Sequence, residues 1–176
     1  MLETLTTLFQ PWSELYADSA WLPTAILAVH VLALFAGGGI AIAADRRVLM
    51  ATPGTREAYQ AAAEDLRTTH AIVIGAIVIM VGSGLAMATS DIGTFVVSKV
   101  FWTKMATFAL LIANGVFMRR TEARVLTAAA DAGVAIDQTT QWPSAHLPWA
   151  VLKRSAAVSV TAWFAVVLLG VVLSNI

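Results

Sequence analysis

Four apolar runs constrain this chain more than any other feature, because each is long enough to cross a lipid bilayer and carries almost no charge. A helix needs about 20 consecutive apolar residues to span the hydrocarbon core of a membrane. The sequence predicts such spans at about 22–44, 68–89, 95–118 and 155–174. We therefore expect an all-α protein, an integral membrane four-helix bundle that forms a single transmembrane domain over residues 1–176.

The composition supports a membrane protein and excludes several other classes. Hydrophobic residues make up 59% of the chain, charged residues 12%, and the mean hydropathy is +0.77. A soluble domain cannot hide that apolar surface, whereas a bilayer accepts apolar side chains on every side of a helix. The net charge is zero, so no basic field points to nucleic acid. Without cysteine, disulfides, thiolate-held metals and thioether-attached haem are excluded.

Lysine and arginine are concentrated in two of the connections, and this sets the predicted orientation. Residues 45–67 join the first two spans and residues 119–154 join the last two, and both connections are basic. The link around Asp91 and the two chain ends carry almost no basic residues. Basic loops stay on the cytoplasmic side, so we expect both termini to be non-cytoplasmic. The expected location is the bacterial cytoplasmic (inner) membrane.

The N-terminal segment before the first span does not have the pattern of a signal peptide. It lacks lysine and arginine and contains acidic residues, so we expect it to remain on the protein. Its apolar residues between Leu5 and Tyr16 recur at spacings of three and four. This pattern predicts an amphipathic helix lying in the membrane interface, with an ordinary polar leader as the alternative.

Small residues line one stripe of each of the first two spans. Gly37 lies on the stripe of the first span, and Gly75 and Gly82 lie on that of the second. Such stripes allow close helix packing in membranes, which is the default interpretation. They equally leave room for a flat ligand such as a macrocycle, so Gly37 and Gly82 are candidate cofactor-contacting positions.

Two ionisable residues inside the spans are the main functional candidates, because an unpaired charge in the membrane is costly. His30 lies about 12 Å below the outer end of the first span, and Lys104 lies at a similar depth in the third. His30 is either an axial haem ligand or a histidine hydrogen-bonded to a neighbouring helix. Three roles for Lys104 inside the bundle are open: it neutralises a buried anion such as a haem propionate, donates a hydrogen bond to an acceptor, or shares a proton with His30. The alternative is that its side chain extends the ammonium to the outer interface.

Other polar residues are less suited to the same site. His70 lies on the order of 15 to 20 Å below His30, too far for both to bind one iron, so it is a separate metal-ligand candidate. His146 in the long connection is a possible neighbour of His70. Asn114 needs a partner for its amide, most simply a carbonyl on another helix. Trp163 is expected to serve packing.

Short motifs on all four spans carry a family resemblance. The segments are His30-Val-Leu-Ala-Leu-Phe-Ala-Gly-Gly, Asp45-Arg-Arg-Val-Leu, Val81-Gly-Ser-Gly-Leu and Phe101-Trp-Thr-Lys104-Met, with Asn114 and Trp163 in the later spans. They resemble a family of bacterial four-helix membrane proteins of unknown function. More distantly, the chain is similar to haem-dependent membrane protoporphyrinogen oxidases and copper-resistance D-type membrane domains. In the oxidases the first-helix histidine is a haem ligand and the third-helix lysine is required, which implies these roles for His30 and Lys104. His70 and the loop with His146 are not part of that pattern.

Three functional hypotheses follow from the residues and the resemblance. The first is a b-type haem protein in electron transfer or a porphyrin-linked redox step, with His30 as axial ligand of haem b. The second is an accessory or structural subunit without its own cofactor, packed into a larger membrane complex or a homo-oligomer. The third is transport of a metal ion or proton along His30 and Lys104. Whether the protein is an enzyme stays open at this point.

Overall fold

The computed structural model describes residues 2–52, 64, 68–131 and 149–175, and this part of the chain folds into helices with short connections. The helices are α1 (Leu2–Asp18), α2 (Leu22–Met50), α3 (His70–Ser90), α4 (Ile92–Val97), α5 (Lys99–Asp131) and α6 (Trp149–Leu173). Four of them are long and apolar enough to cross a membrane: α2, α3, α6 and the Lys99–Arg124 part of α5. This confirms the prediction of an all-α, multi-pass membrane architecture.

The helices begin and end at different residues from the predicted spans. Helix α2 continues past Ala44 to Met50, and α6 begins at Trp149 rather than near Ser155. Charged residues end an apolar run, but lysine, arginine and aspartate still fit a helix, so the hydropathy pattern underestimates helix length. Helix α5 likewise continues past the predicted end of the third span at Met118 as far as Asp131.

The third predicted span is divided at Ser98 into the short helix α4 and the long helix α5. Asp91 begins α4, and its side chain accepts a hydrogen bond from the Thr94 backbone N–H at 3.3 Å. Ser98 has an extended backbone and its hydroxyl accepts from the Phe101 N–H, also at 3.3 Å. Both residues are typical helix N-caps, which explains why the chain restarts its helix here.

The four long helices pack as antiparallel neighbours in the order α3, α2, α6, α5. Helix α2 packs most extensively on α3, α5 on α6, and α2 also contacts α6. Within the described residues, the backbones of α3 and α5 do not come close to each other. We call the end of the bundle near Leu22 and Leu173 the upper end, and the end near Met50 and Trp149 the lower end. A gap therefore separates α3 from α5, and α2 and α6 form the floor of this gap.

The centre of the bundle is built around Trp163 and two glycines of α2. Trp163 is only 3% exposed and clusters with Ala33, Met80, Leu111 and Ala162. A Cβ added at Gly37 meets the Ala76 Cβ at 2.8 Å, and one added at Gly38 meets the Trp163 ring at 3.0 Å. The small-residue stripe of the first span therefore serves close helix packing at Gly37.

Helix α1 packs on the upper end of α3. The Trp12 indole N–H donates to the Ala86 carbonyl at 2.9 Å, and the Ser13 hydroxyl donates to the Ser90 carbonyl at 2.6 Å. The predicted N-terminal helix is thus present and docked on the bundle. Its position in a membrane interface and the non-cytoplasmic location of the termini stay predictions.

Candidate functional site

His30 is held on α2 by a hydrogen bond across to α3. Its Nδ1 lies 2.9 Å from the Ser83 Oγ. The Ser83 hydroxyl donates to the Ile79 carbonyl at 2.7 Å, so its oxygen is left to accept a hydrogen bond from the ring. The Met80 carbonyl, which only accepts, is a further partner of the ring. This pattern assigns the proton to Nδ1 and leaves the lone pair on Nε2.

The local sequence of α3 accounts for this geometry. A serine within a helix often donates to the carbonyl four residues earlier, as Ser83 does to Ile79. Gly84 follows, and a Cβ at that position lies 3.3 Å from His30 Cε1 and 3.7 Å from Nδ1. The pair Ser83-Gly84 therefore supplies a hydrogen-bond acceptor and leaves the space in which the imidazole ring lies.

Lys104 approaches the same region from the other helix pair. Its ammonium lies against the backbone of α6, since a Cβ added at Gly170 is 3.4 Å from Nζ. Lys104 and His30 are near enough to interact electrostatically. Within the described part of the chain, Lys104 has no hydrogen bond or ion pair. The predicted proximity of His30 and Lys104 is thus present in the fold, with a free ammonium beside a histidine.

The chemistry of this pair is that of one lone-pair donor and one cation. The Nε2 of His30 can bind a metal or accept a proton, and the Lys104 ammonium can donate up to three hydrogen bonds to an anion. No group of three or more His, Asp or Glu side chains that suits a bare metal ion is found in the described residues. A metal held in a macrocycle needs only one or two protein ligands, so the donor set fits haem better than a bare ion.

The other predicted site residues lie elsewhere. Gly37 packs on Ala76, so its face is filled by protein. Gly82 precedes Ser83 but faces open space, with no atom within 4 Å of an added Cβ. His70 begins α3 at the lower end, about 20 Å from Ser83 along the helix, and lines a cavity in the lower half of the bundle. His146 lies outside the described residues.

Asn114 and Ser155 form a polar pair that joins α5 to α6. The Asn114 amide donates to the Ser155 carbonyl at 2.9 Å, and the Ser155 hydroxyl donates to the Asn114 side-chain oxygen at 2.8 Å. The prediction of a carbonyl partner on another helix is therefore confirmed. The pair lies below the His30 region and serves helix association.

A cavity that was not predicted from the sequence lies between α3 and α5 in the lower half of the bundle. Its volume is about 260 Å³ and its walls are mainly apolar. Five polar or ionisable side chains line its lower part: Asp45, Thr69, His70, Arg119 and Glu122. Asp45 and Glu122 are 4% and 2% exposed. Helical spacing is the sequence signal that could have placed these two carboxylates inside the bundle. Asp45 lies on the same helix face as Ala41 and Ala44, and Glu122 lies on the same face as Met118.

Comparison of the chain with models of protein families, with curated proteins and with solved structures finds no match. The family resemblance in the motifs around His30 and Lys104 therefore stays a prediction. The functional conclusion below depends on the geometry of these residues.

Proposed function

We propose that this is a multi-pass membrane protein that binds a b-type haem through His30 and serves electron transfer or a porphyrin-linked redox step. The observation that supports it most is the fixed orientation of the His30 ring. Histidines that bind metals almost always donate their second ring N–H to a neighbouring acceptor, which sets the tautomer and the ring angle. Ser83 Oγ, at 2.9 Å from Nδ1, supplies such an acceptor.

The surrounding residues have the chemistry that this proposal needs. Gly84 carries no side chain beside the imidazole, where an added Cβ would lie 3.3 Å from His30 Cε1. Lys104 has an ammonium without a partner in the described residues, and it suits a carboxylate on the edge of a porphyrin. When bound, haem supplies one-electron redox chemistry. His30 would hold the iron, Ser83 would fix its tautomer, and Lys104 would neutralise a carboxylate.

The proposed setting is the bacterial cytoplasmic membrane, with His30 and Lys104 in the outer half. It is supported by the four membrane-capable helices and by the basic residues in the lower parts of α2 and α5. An accessory subunit without a cofactor and a transporter of protons or metal ions stay as alternative predictions.

A visible absorption spectrum of the purified protein, prepared in detergent with full haem supply, tests the proposal. We expect a Soret band that His30→Ala removes and that His70→Ala leaves unchanged, since His70 lies about 20 Å from Ser83, the partner of His30, along α3. Ser83→Ala should weaken haem binding by about tenfold, the usual effect of losing an outer hydrogen bond to a metal-bound histidine. Lys104→Met should weaken binding and Lys104→Arg should restore part of it.

Two results would overturn the proposal. One is the lack of any Soret band in protein that is folded by circular dichroism and monodisperse in detergent. The other is a band of unchanged position and intensity in His30→Ala.

A further inference from the structure

The cavity in the lower half of the bundle has the shape of an elongated cleft. Its lining extends on α3 from His70 to Ile77, about 10 Å, and on α5 from Leu111 to Glu122, about 16 Å. Its floor is formed by α2 and α6, including Trp163. The cleft exists because α3 and α5 do not pack on each other in the described residues.

The cleft is open to the side of the bundle that faces lipid. Three of its lining residues, Ile74, Ile112 and Val116, are apolar and between 37% and 46% exposed. On membrane-spanning helices such side chains face hydrocarbon, so the cleft is accessible from the bilayer. A narrow apolar cleft of this length suits one flexible hydrocarbon chain.

The lower end of the cleft has a different chemistry. Asp45 and Glu122 contribute two carboxylates, Arg119 one guanidinium, and Thr69 and His70 further hydrogen-bonding groups. The formal charges of these lining residues therefore do not sum to a positive value. This disfavours binding of a ligand with an anionic phosphate head group. Carboxylates accept hydrogen bonds, so they favour a head group that carries hydroxyl donors.

We propose that this cleft binds an isoprenoid quinol, with the chain between α3 and α5 and the hydroquinone head beside Asp45, Glu122 and His70. The site is distinct from the His30 region, because His70 and Ser83 lie about 20 Å apart along α3. It does not depend on haem, and its test has a separate readout.

Gly115 provides the sharpest variant. It lines the cleft, and a Cβ added there meets no atom within 4 Å, so Gly115→Leu fills the cleft without a clash at its Cβ. Gly75 on α3 has the same open surroundings but does not line the cleft, so Gly75→Leu is the matched control. Both substitutions add the same side chain to an exposed position on a membrane-spanning helix.

The experiment measures equilibrium binding of a decyl-substituted benzoquinol, kept reduced, to the purified full chain in detergent, by native mass spectrometry. We expect saturable binding that Gly115→Leu weakens by about tenfold or more and that Gly75→Leu changes by less than about twofold. Glu122→Gln should weaken binding of the quinol more than it weakens binding of the oxidised quinone, because the quinone has no hydroxyl to donate. Circular dichroism and gel filtration check the fold of each variant.

Three outcomes would overturn the inference. The first is quinol binding no stronger than to protein-free micelles, and the second is an equal loss in Gly115→Leu and Gly75→Leu. The third is competition by phosphatidylglycerol at the same concentration as the quinol, which would assign the cleft to a phospholipid. The haem spectrum of Gly115→Leu should not change, so a failure here is distinct from a failure of the haem proposal.

Discussion

The helix pairs α2–α3 and α5–α6 are held together in different ways. In the first pair, Gly37 faces Ala76 so closely that no larger side chain fits between the backbones. In the second pair, Asn114 and Ser155 exchange two hydrogen bonds across the interface. Close packing depends on the shape of the two helix surfaces. The polar pair depends on the direction of its hydrogen bonds, so it sets the register of α5 against α6.

The difference matters because the candidate site is shared between the two pairs. His30 belongs to the close-packed pair and Lys104 to the hydrogen-bonded pair, so their separation is set by how the pairs dock. That docking involves the packing of Trp163 from α6 on Gly38 of α2. Substitutions that act on one pair, on the other, or on the contact between them should therefore have different effects.

The largest effect is expected from Trp163→Ala, which empties the contact between the pairs. Removing a large buried aromatic side chain costs about 3 to 5 kcal/mol in protein cores. Unfolding by sodium dodecyl sulfate in mixed micelles should show a loss of about that size. Phe164→Ala is the control. Phe164 is the next residue along α6 and is 57% exposed, so its removal should change stability by less than about 0.5 kcal/mol. Equal losses in both variants would contradict the central position of Trp163.

A smaller but clear loss is expected from Gly37→Val. The added Cβ would lie 2.8 Å from the Ala76 Cβ, which is fixed to its backbone, so α2 and α3 must separate. Overpacking of this kind costs about 1 to 3 kcal/mol. Gly39→Val on the same helix meets no atom within 4 Å and serves as the control in the same titration. If Gly39→Val were as damaging as Gly37→Val, helix propensity rather than packing would explain the loss.

The smallest effect is expected from Asn114→Ala, which removes the polar pair from the α5–α6 interface. Hydrogen bonds between membrane helices contribute about 0.6 kcal/mol on average and at most about 2 kcal/mol. The loss should therefore be about 1 kcal/mol. Thr107→Ala is the control, because that hydroxyl bonds only to the Thr103 carbonyl within α5. A loss of stability larger than that of Gly37→Val would contradict this order, because the polar pair would then matter more to α5–α6 than close packing does to α2–α3.

The membrane architecture was predictable because it depends on long-range properties of the sequence. Apolar length identifies each membrane-capable helix, and the structure agrees on all four. Helix ends were less predictable: Ser98 interrupts a hydrophobic stretch by capping, and α2 continues through the charged residues after Ala44. Capping and charge are local features that an average over 20 residues does not detect.

The candidate site was predictable in part. The proximity of His30 and Lys104 follows from equal depth on two helices, α2 and α5, that both start at the upper end of the bundle, and both were expected to be the key polar residues. Depth alone does not give the angular position around each helix, so Ser83 as the partner of His30 was not assigned. The cleft was missed because it depends on which helices do not touch, and that is a property of the packing order.

The order of the helices also has a consequence for how the protein is made. Each close pair is formed by consecutive membrane helices, α2 with α3 and α5 with α6, so each can form as a hairpin while the chain is still being inserted into the bilayer. The two hairpins then need only one lateral docking step, in which the indole of Trp163 meets Gly38. Assembly of the His30 and Lys104 region thus waits until α6, which carries Trp163, has been synthesised.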